Sequence, residues 1–121
     1  MPKDDHSPKP PGGAELARWK GCFACGTDNA GGLRLRFEPI DSGRSEARWI
    51  PGSTWEGYPG IVHGGLISTV LDEAMSKASA AAGALAMTAE LRVRYRLPVR
   101  SGVEYVIQGW VGKRTKRVIE A

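Results

Sequence analysis

Residues 57–75, which read GYPGIVHGGLISTVLDEAM, are the most informative stretch of this sequence. A Pro-Gly turn leads into His63, Gly64 and Gly65, and a helical pattern of apolar residues follows. The first turn of a helix cannot pair its own N–H donors, so glycines there leave bare amides at the positive end of the helix dipole. Such donors suit an anion or a developing oxyanion.

The same helical pattern carries Asp72 two turns beyond the glycines. A carboxylate at this position is more commonly a solvated helix-face residue, but it is also a candidate base or nucleophile. Its neighbour Glu73 is the main competitor. The two lie about 100° apart around a helix, so both cannot point into one site. Together, the amide donors and one carboxylate predict acyl-transfer chemistry.

The composition is that of one ordinary globular domain of 121 residues, with 41% hydrophobic and 25% charged residues. No apolar run reaches the roughly 18 residues that span a bilayer, and the polar N-terminus does not resemble a signal peptide. We therefore expect a cytoplasmic protein that does not bind membranes. The net charge of +4 fits an anionic ligand and equally a merely soluble surface.

The pattern of elements predicts an α+β domain. Residues 1–15 are rich in Pro and Gly and predict a disordered tail, followed by one domain over residues 16–121. A helix is predicted from Gly64 to about Ala82, with Gly83 ending it. Alternating apolar residues predict antiparallel strands before and after this helix. The predicted strands are 33–39, 45–50, 91–97 and 103–111, with another beginning at 118.

Cys22 and Cys25 form the only cysteine pair, and the histidines are His6 and His63. Zinc sites usually need four ligands, and no strand clearly precedes the pair as in redox motifs. We interpret the cysteines as small, partly buried residues and predict no metal.

Three motifs give the chain a resemblance to the hot-dog-fold acyl-CoA thioesterases, in particular the phenylacetate-pathway and 4-hydroxybenzoyl-CoA thioesterase group. One is His63-Gly64-Gly65 with Asp72 nine residues after the histidine. The others are Cys22-Phe23-Ala24-Cys25-Gly26, followed by Gly32-Leu33, and the segment TAELRVRY at 88–95. The resemblance covers roughly residues 19–121. It implies an antiparallel sheet wrapped around one long central helix.

The resemblance also implies roles for individual residues. Asp72 would be the base or nucleophile, and the Gly64 N–H would be the oxyanion donor. His63 would hydrogen-bond the thioester carbonyl or hold the loop. Thr88 matches a Ser or Thr that orients the water or the carboxylate. Each residue also has a purely structural interpretation. Gly64 could be needed only for a tight turn, and His63 could have only a structural role. Thr88 could be an ordinary β-branched residue of a strand.

Further residues are candidates for binding the substrate, an acyl-CoA, whose phosphates suit Arg. They are Gly65, Trp55, Tyr58, Arg92, Arg94 and Arg114. Alternatively, the arginines could simply lie on solvent-exposed faces of strands. No nucleic-acid-binding motif accompanies the basic residues. The resemblance implies a homodimer or a dimer of dimers, with a site spanning the interface and no cofactor besides the coenzyme A of the substrate.

Two other functions fit the same fold. One is a non-catalytic module that binds or senses acyl-CoA. The other is a hot-dog enoyl-CoA hydratase, which is disfavoured because no histidine follows Asp72.

The sequence stops at Ala121, where Val118 to Glu120 would begin a strand. Members of the family that the chain resembles usually finish with a long fifth strand and often a sixth, so the resemblance implies a domain truncated at its C-terminus, lacking its last strand or strands.

Overall fold

The computed structural model describes residues 19–121, so the tail predicted over residues 1–15 lies outside the described residues. The elements in chain order are β1 (Glu38–Asp41), β2 (Arg44–Trp49), a short 3-10 turn (Ser53–Trp55), α1 (Gly64–Ala81) and β3 (Tyr105–Trp110). The three strands form one antiparallel sheet in the order β1-β2-β3. One long helix on an antiparallel sheet matches the predicted α+β class.

A turn at Ser42 and Gly43 joins β1 to β2. Gly43 adopts a positive φ of 85°, which glycine tolerates without steric cost. The first strand begins later than the predicted residue 33. Arg34 has a φ of 54°, and the N–H groups of Leu33 and Leu35 donate to Phe23 and Ala24 in the preceding loop. The alternation at 33–37 therefore describes burial correctly, although these residues pair with a loop rather than with β2.

Helix α1 begins and ends as its sequence signals predict. His63 caps the N-terminus with its side chain, and Gly83 follows the last turn with a φ of 84°. The helix packs on the sheet at Ala74, whose carbonyl accepts a hydrogen bond of 2.8 Å from the buried Ser45 hydroxyl. A Cβ on Gly109 would lie 2.6 Å from the Ala74 carbonyl carbon. This contact therefore requires a residue without a side chain.

The core lies between the helix and the sheet. Burying these apolar side chains supplies most of the driving force for the fold. Its buried members are Leu33, Leu35, Phe37, Ala47, Trp49, Val62, Val70, Ala74, Ala80 and Ile107.

The strand predicted at 91–97 is wrong for this structure. Residues 84–99 contain no strand, and Leu91, Tyr95 and Leu97 are 36%, 56% and 83% exposed. Their alternation is as regular as that of β3, where Ile107 is 8% exposed. The difference is that no strand of the described chain lies beside residues 91–97 to pair with their backbone groups. We call residues 84–99 the extended segment.

The strand predicted to begin at residue 118 is also absent. Arg114 and Ile119 form an isolated bridge, closed by a turn in which Thr115 N–H donates to the Val118 carbonyl. The chain thus folds back locally instead of joining the sheet.

Among the described residues, no helix is long and apolar enough to cross a membrane.

Candidate active site

His63 holds the N-terminus of α1. Its Nδ1 accepts a hydrogen bond of 2.9 Å from the Gly65 N–H, and its carbonyl accepts from the N–H groups of Leu66 and Ile67. A nitrogen that accepts is unprotonated, so in the neutral ring Nε2 carries the hydrogen. Three amides of the first turn are therefore satisfied by one residue. The imidazole keeps one N–H donor on an exposed side chain.

The Gly64 amide is the donor that His63 does not satisfy. Within the described part of the chain, its N–H has no acceptor. Its carbonyl accepts a hydrogen bond of 2.9 Å from the Tyr95 hydroxyl, which also makes a short contact with Ser68 Oγ. Tyr95 thus anchors the peptide that follows Gly64, while the Gly64 N–H stays open at the positive end of the helix. This is the geometry that an oxyanion donor requires.

A groove of about 680 Å³ opens at this end of the helix. His63 and Gly64 lie in its wall, together with the 81% exposed side chain of Tyr58. Arg94 and Arg96, from the extended segment, add positive charge. The remaining lining is mainly apolar: Gly57, Ile61, Val62, Ile67, Tyr95, Leu97, Pro98 and Val99. The groove can therefore take an apolar chain carrying a negative charge.

Asp72 lies further along the same helix, in contact with Thr88. The Thr88 hydroxyl donates to Asp72 Oδ1 at 2.6 Å, and the carboxylate is partly buried. This bond orients the carboxylate and leaves Oδ2 for a water molecule or a substrate carbon. The structure thus brings Asp72 and Thr88 together, as the resemblance implied. Their chemical roles remain predictions.

The two halves of the predicted machinery are separate within one chain. Gly64 and Asp72 are eight residues apart, which is about 12 Å along the axis of a helix. Asp72 and Thr88 are not part of the groove at Gly64. An amide donor and a base that act on the same carbonyl must both lie within about 3 Å of the reacting group or its water. Within one chain, the groove thus contains the amide donor without the carboxylate.

The other predicted binding residues are scattered. Trp55 is partly buried and makes an edge-to-face contact with Phe23, with ring centroids 6.5 Å apart. Arg92 pairs with Glu90 at 2.6 Å on the surface. Arg114 donates to the Ala82 carbonyl at the C-terminal end of α1, away from the groove. Of the arginines named from the sequence, only Arg94 lies in the groove.

Gly65 and Glu73 have their own partners. The Gly65 N–H is taken by His63, so this amide is not available to a ligand. Glu73 forms an ion pair of 3.5 Å with Lys77, and both side chains are largely buried. Asp72 and Glu73 therefore have different partners, as the helix geometry predicts.

Burial, and secondarily the Glu73 carboxylate, raises the pKa of the nearby Cys25 thiol to about 12.

The sequence did not single out Tyr95 or Glu56 as site residues. In the sequence, Tyr95 was one member of the alternating pattern predicted to form a strand. The one available signal was its hydroxyl group, which can hydrogen-bond to a nearby backbone group. The Ser101 hydroxyl bonds Glu56 at 2.5 Å. That bond, together with a backbone hydrogen bond from Gly60, lowers the pKa of the carboxyl. Glu56 therefore ties the loop before α1 to the turn before β3.

The thioesterase superfamily model matches residues 59–121, a stretch that contains the whole of α1, the extended segment and β3. The chain belongs to the thioesterase superfamily. Residues 59–121 include every predicted catalytic residue of this superfamily member. The match gives the family and leaves the narrower phenylacetate-pathway or 4-hydroxybenzoyl-CoA group open.

A curated relative and a solved structure agree with this membership. The acyl-coenzyme A thioesterase THEM5 of Homo sapiens is 37% identical over 67 residues, 54% of this chain and 27% of the relative. The crystal structure of protein RHA08564, a thioesterase superfamily protein, superposes with a TM-score of 0.78 at 27% identity. The match covers 83% of this chain and 49% of that one. The predicted hot-dog fold is therefore confirmed.

The chain is shorter than both proteins. It spans about a quarter of the length of the curated relative and about half of the solved chain. What superfamily membership supports is a hydrolase domain of the thioesterase type.

Proposed function

We propose that this protein hydrolyses the thioester of an acyl-CoA or aryl-acyl-CoA, giving a carboxylic acid and free coenzyme A. The observation that carries the proposal is the pair of half-sites on α1. An open Gly64 N–H stands at the helix N-terminus, and Asp72, oriented by Thr88, stands two turns further on. The related human acyl-coenzyme A thioesterase supports the substrate class.

The chemistry assigned to these residues is a simple hydrolysis. Asp72 takes a proton from water, and the resulting hydroxide attacks the thioester carbonyl. The Gly64 N–H donates to the oxyanion of the tetrahedral intermediate. The C–S bond then breaks, and the coenzyme A thiolate takes up the proton that Asp72 holds, which restores the carboxylate. Direct attack by Asp72, through a mixed anhydride that water cleaves, uses the same residues.

We propose that two copies of the chain complete the site. Because Gly64 and Asp72 lie about 12 Å apart on one helix, the donor of one protomer would meet the carboxylate of its partner. A two-fold dimer gives two such sites, each using one half from each chain. The acyl group would lie in the groove beside Gly64, and Arg94 and Arg96 would face the phosphates of coenzyme A.

A thiol-release assay on the purified chain tests the proposal. It would use a panel of short, long and aromatic acyl-CoAs, with the parent, Asp72→Asn and Glu46→Gln measured side by side. We expect turnover that falls at least about 100-fold in Asp72→Asn, because a positioned base contributes about 10²–10⁴. Glu46→Gln changes a carboxylate on β2 that accepts a long hydrogen bond of 3.3 Å from Gln108 and does not line the groove, so it should match the parent.

The alternative function is a module that binds acyl-CoA without hydrolysing it. It is favoured by one observation, that the groove of a single chain contains Gly64 but not Asp72. A folded parent that binds acyl-CoA in a thermal-shift measurement without releasing thiol would establish this alternative. Equal turnover by the parent and Asp72→Asn would remove Asp72 from the mechanism.

A further inference from the structure

Three side chains that bind metals well meet outside the proposed active site. The sulfurs of Cys22 and Cys25 and a carboxylate oxygen of Glu73 all lie within 4.8 Å of one another. Cys25 is buried, and the other two are partly buried. Thiolates and carboxylates at such separations can bind one cation after small side-chain rotations. Only the cysteine pair is visible in the sequence, because Glu73 follows Cys25 by 48 positions.

In the loop that carries the cysteines, a backbone N–H points at the sulfur of Cys22. The Cys25 N–H donates to Cys22 Sγ at 3.5 Å, and the Gly26 N–H donates to the Cys22 carbonyl at 2.8 Å. A Cβ on Gly26 would lie 2.5 Å from the Cys22 amide nitrogen, so only glycine allows the turn to close this tightly. An amide aimed at sulfur stabilises negative charge there, as in metal sites whose sulfurs accept backbone hydrogen bonds.

The charges around the cluster balance when a divalent cation is present. Lys77 lies 3.5 Å from Glu73 Oε1, and only 6% of its side chain is exposed. Two thiolates, one carboxylate and a divalent cation sum to −1, and the Lys77 ammonium brings the total to zero. The Lys77 ion pair uses one oxygen of Glu73, and a carboxylate has a second oxygen for the metal. A neutral site is the arrangement that a mostly buried position favours.

We propose that Cys22, Cys25 and Glu73 bind one thiophilic divalent cation, zinc being the best match to this ligand set, with a water molecule in the fourth position. Binding releases the two thiol protons to solvent, forms two metal–sulfur bonds and one metal–oxygen bond, and leaves every oxidation state unchanged. The cation would pin the cysteine loop to α1 at the residue next to Asp72. This goes beyond the thioesterase proposal and does not depend on it.

A disulfide between the two cysteines is the competing state. It would use two of the three groups and leave Glu73 in its ion pair with Lys77. It also needs an oxidant such as a glutathione disulfide, whereas metal binding needs only the cation. The two states differ in the number of free thiols after denaturation with a chelator. A disulfide leaves neither cysteine as a thiol, whereas a metal-bound protein releases its cation and shows both thiols.

The test is a Co²⁺ titration of the full chain after chelation and reduction. We expect one equivalent to bind and to give a sulfur-to-cobalt charge-transfer band, which one equivalent of Zn²⁺ then abolishes. Glu73→Gln keeps the shape of the side chain and should weaken Co²⁺ binding at least about tenfold. Asp72→Asn, one residue away on the same helix, should bind Co²⁺ like the parent. Circular dichroism would establish that each variant is folded.

Three results would overturn the proposal. The first is a folded parent that shows no charge-transfer band with Co²⁺. The second is a Glu73→Gln variant that binds Co²⁺ as tightly as Asp72→Asn does. The third is freshly purified protein that holds a Cys22–Cys25 disulfide and takes up no Co²⁺ after reduction. None of these readouts depends on turnover, so a failure here leaves the thioesterase proposal standing.

Discussion

The two faces of α1 are held in different ways. On the sheet side, the backbone of Ala74 lies directly on Gly109, with a hydrogen bond from Ser45. On the other side, two side chains of the extended segment reach the helix, Tyr95 at Gly64 and Thr88 at Asp72. The first face uses close backbone packing to hold the fold. The second uses exposed, single hydrogen bonds to orient the groups of the proposed chemistry, so the two can be perturbed separately.

The largest effect is expected at the second face, from Gly64→Pro. Proline removes the one amide proton in question and is favoured at the first helical position. His63 has a ψ of 133°, which suits a residue before proline, and a Cβ at position 64 lies 3.5 Å from Tyr95 Cε1. We expect kcat to fall about 10²–10³-fold with the fold retained. Gly64→Ala, which keeps the N–H, is the control and should stay near the parent in the thiol-release assay.

The first face should respond to Gly109→Ala with a loss of stability. The added methyl meets the backbone of Ala74, which cannot move without shifting the helix, so we expect a loss of about 3 kcal/mol in the free energy of unfolding. Urea denaturation measures it. Gly52→Ala is the control, because a Cβ there has no atom within 4 Å. A Gly109→Ala midpoint equal to that of Gly52→Ala would contradict the close packing described here.

A smaller effect on activity is expected from Thr88→Val. The change removes the hydroxyl that bonds Asp72 and keeps the branched shape, so we expect kcat to fall about 10- to 100-fold, the value of a hydrogen bond to a charged group. The urea midpoint should change little, since Thr88 is exposed. Thr88→Ser keeps the hydroxyl and should retain most of the activity. A Thr88→Val variant that keeps the parent activity, while Thr88→Ser loses it, would mean that the methyl group and not the hydrogen bond matters.

Much of the first face could be predicted from the sequence. The helix limits follow from His63-Gly64 and Gly83, and the inward positions of β3 follow from its alternation. Residues 91–97 show the same alternation and form no strand. Alternation shows which side chains share a face but cannot supply the neighbouring strand that pairs the backbone.

The second face and the cysteine cluster were less predictable. The pairing of Asp72 with Thr88 was expected only through the family resemblance. The contact of Tyr95 with Gly64 joins residues 31 positions apart, and nothing local in the sequence indicates it. Likewise, two cysteines alone predict no metal, because the third member of the cluster, Glu73, comes from a helix that lies far away in the sequence.

The central claim, that α1 carries two half-sites completed by a second copy, is tested most directly by mixing two inactive variants. Asp72→Asn keeps the donor and Gly64→Pro keeps the carboxylate, so a mixed dimer contains one intact site. Co-expressed in equal amounts, the two should regain about a quarter of the parent activity, since half of the dimers are mixed and each has one intact site of two. Mixed dimers that form and remain as inactive as either variant alone would contradict a site shared between chains.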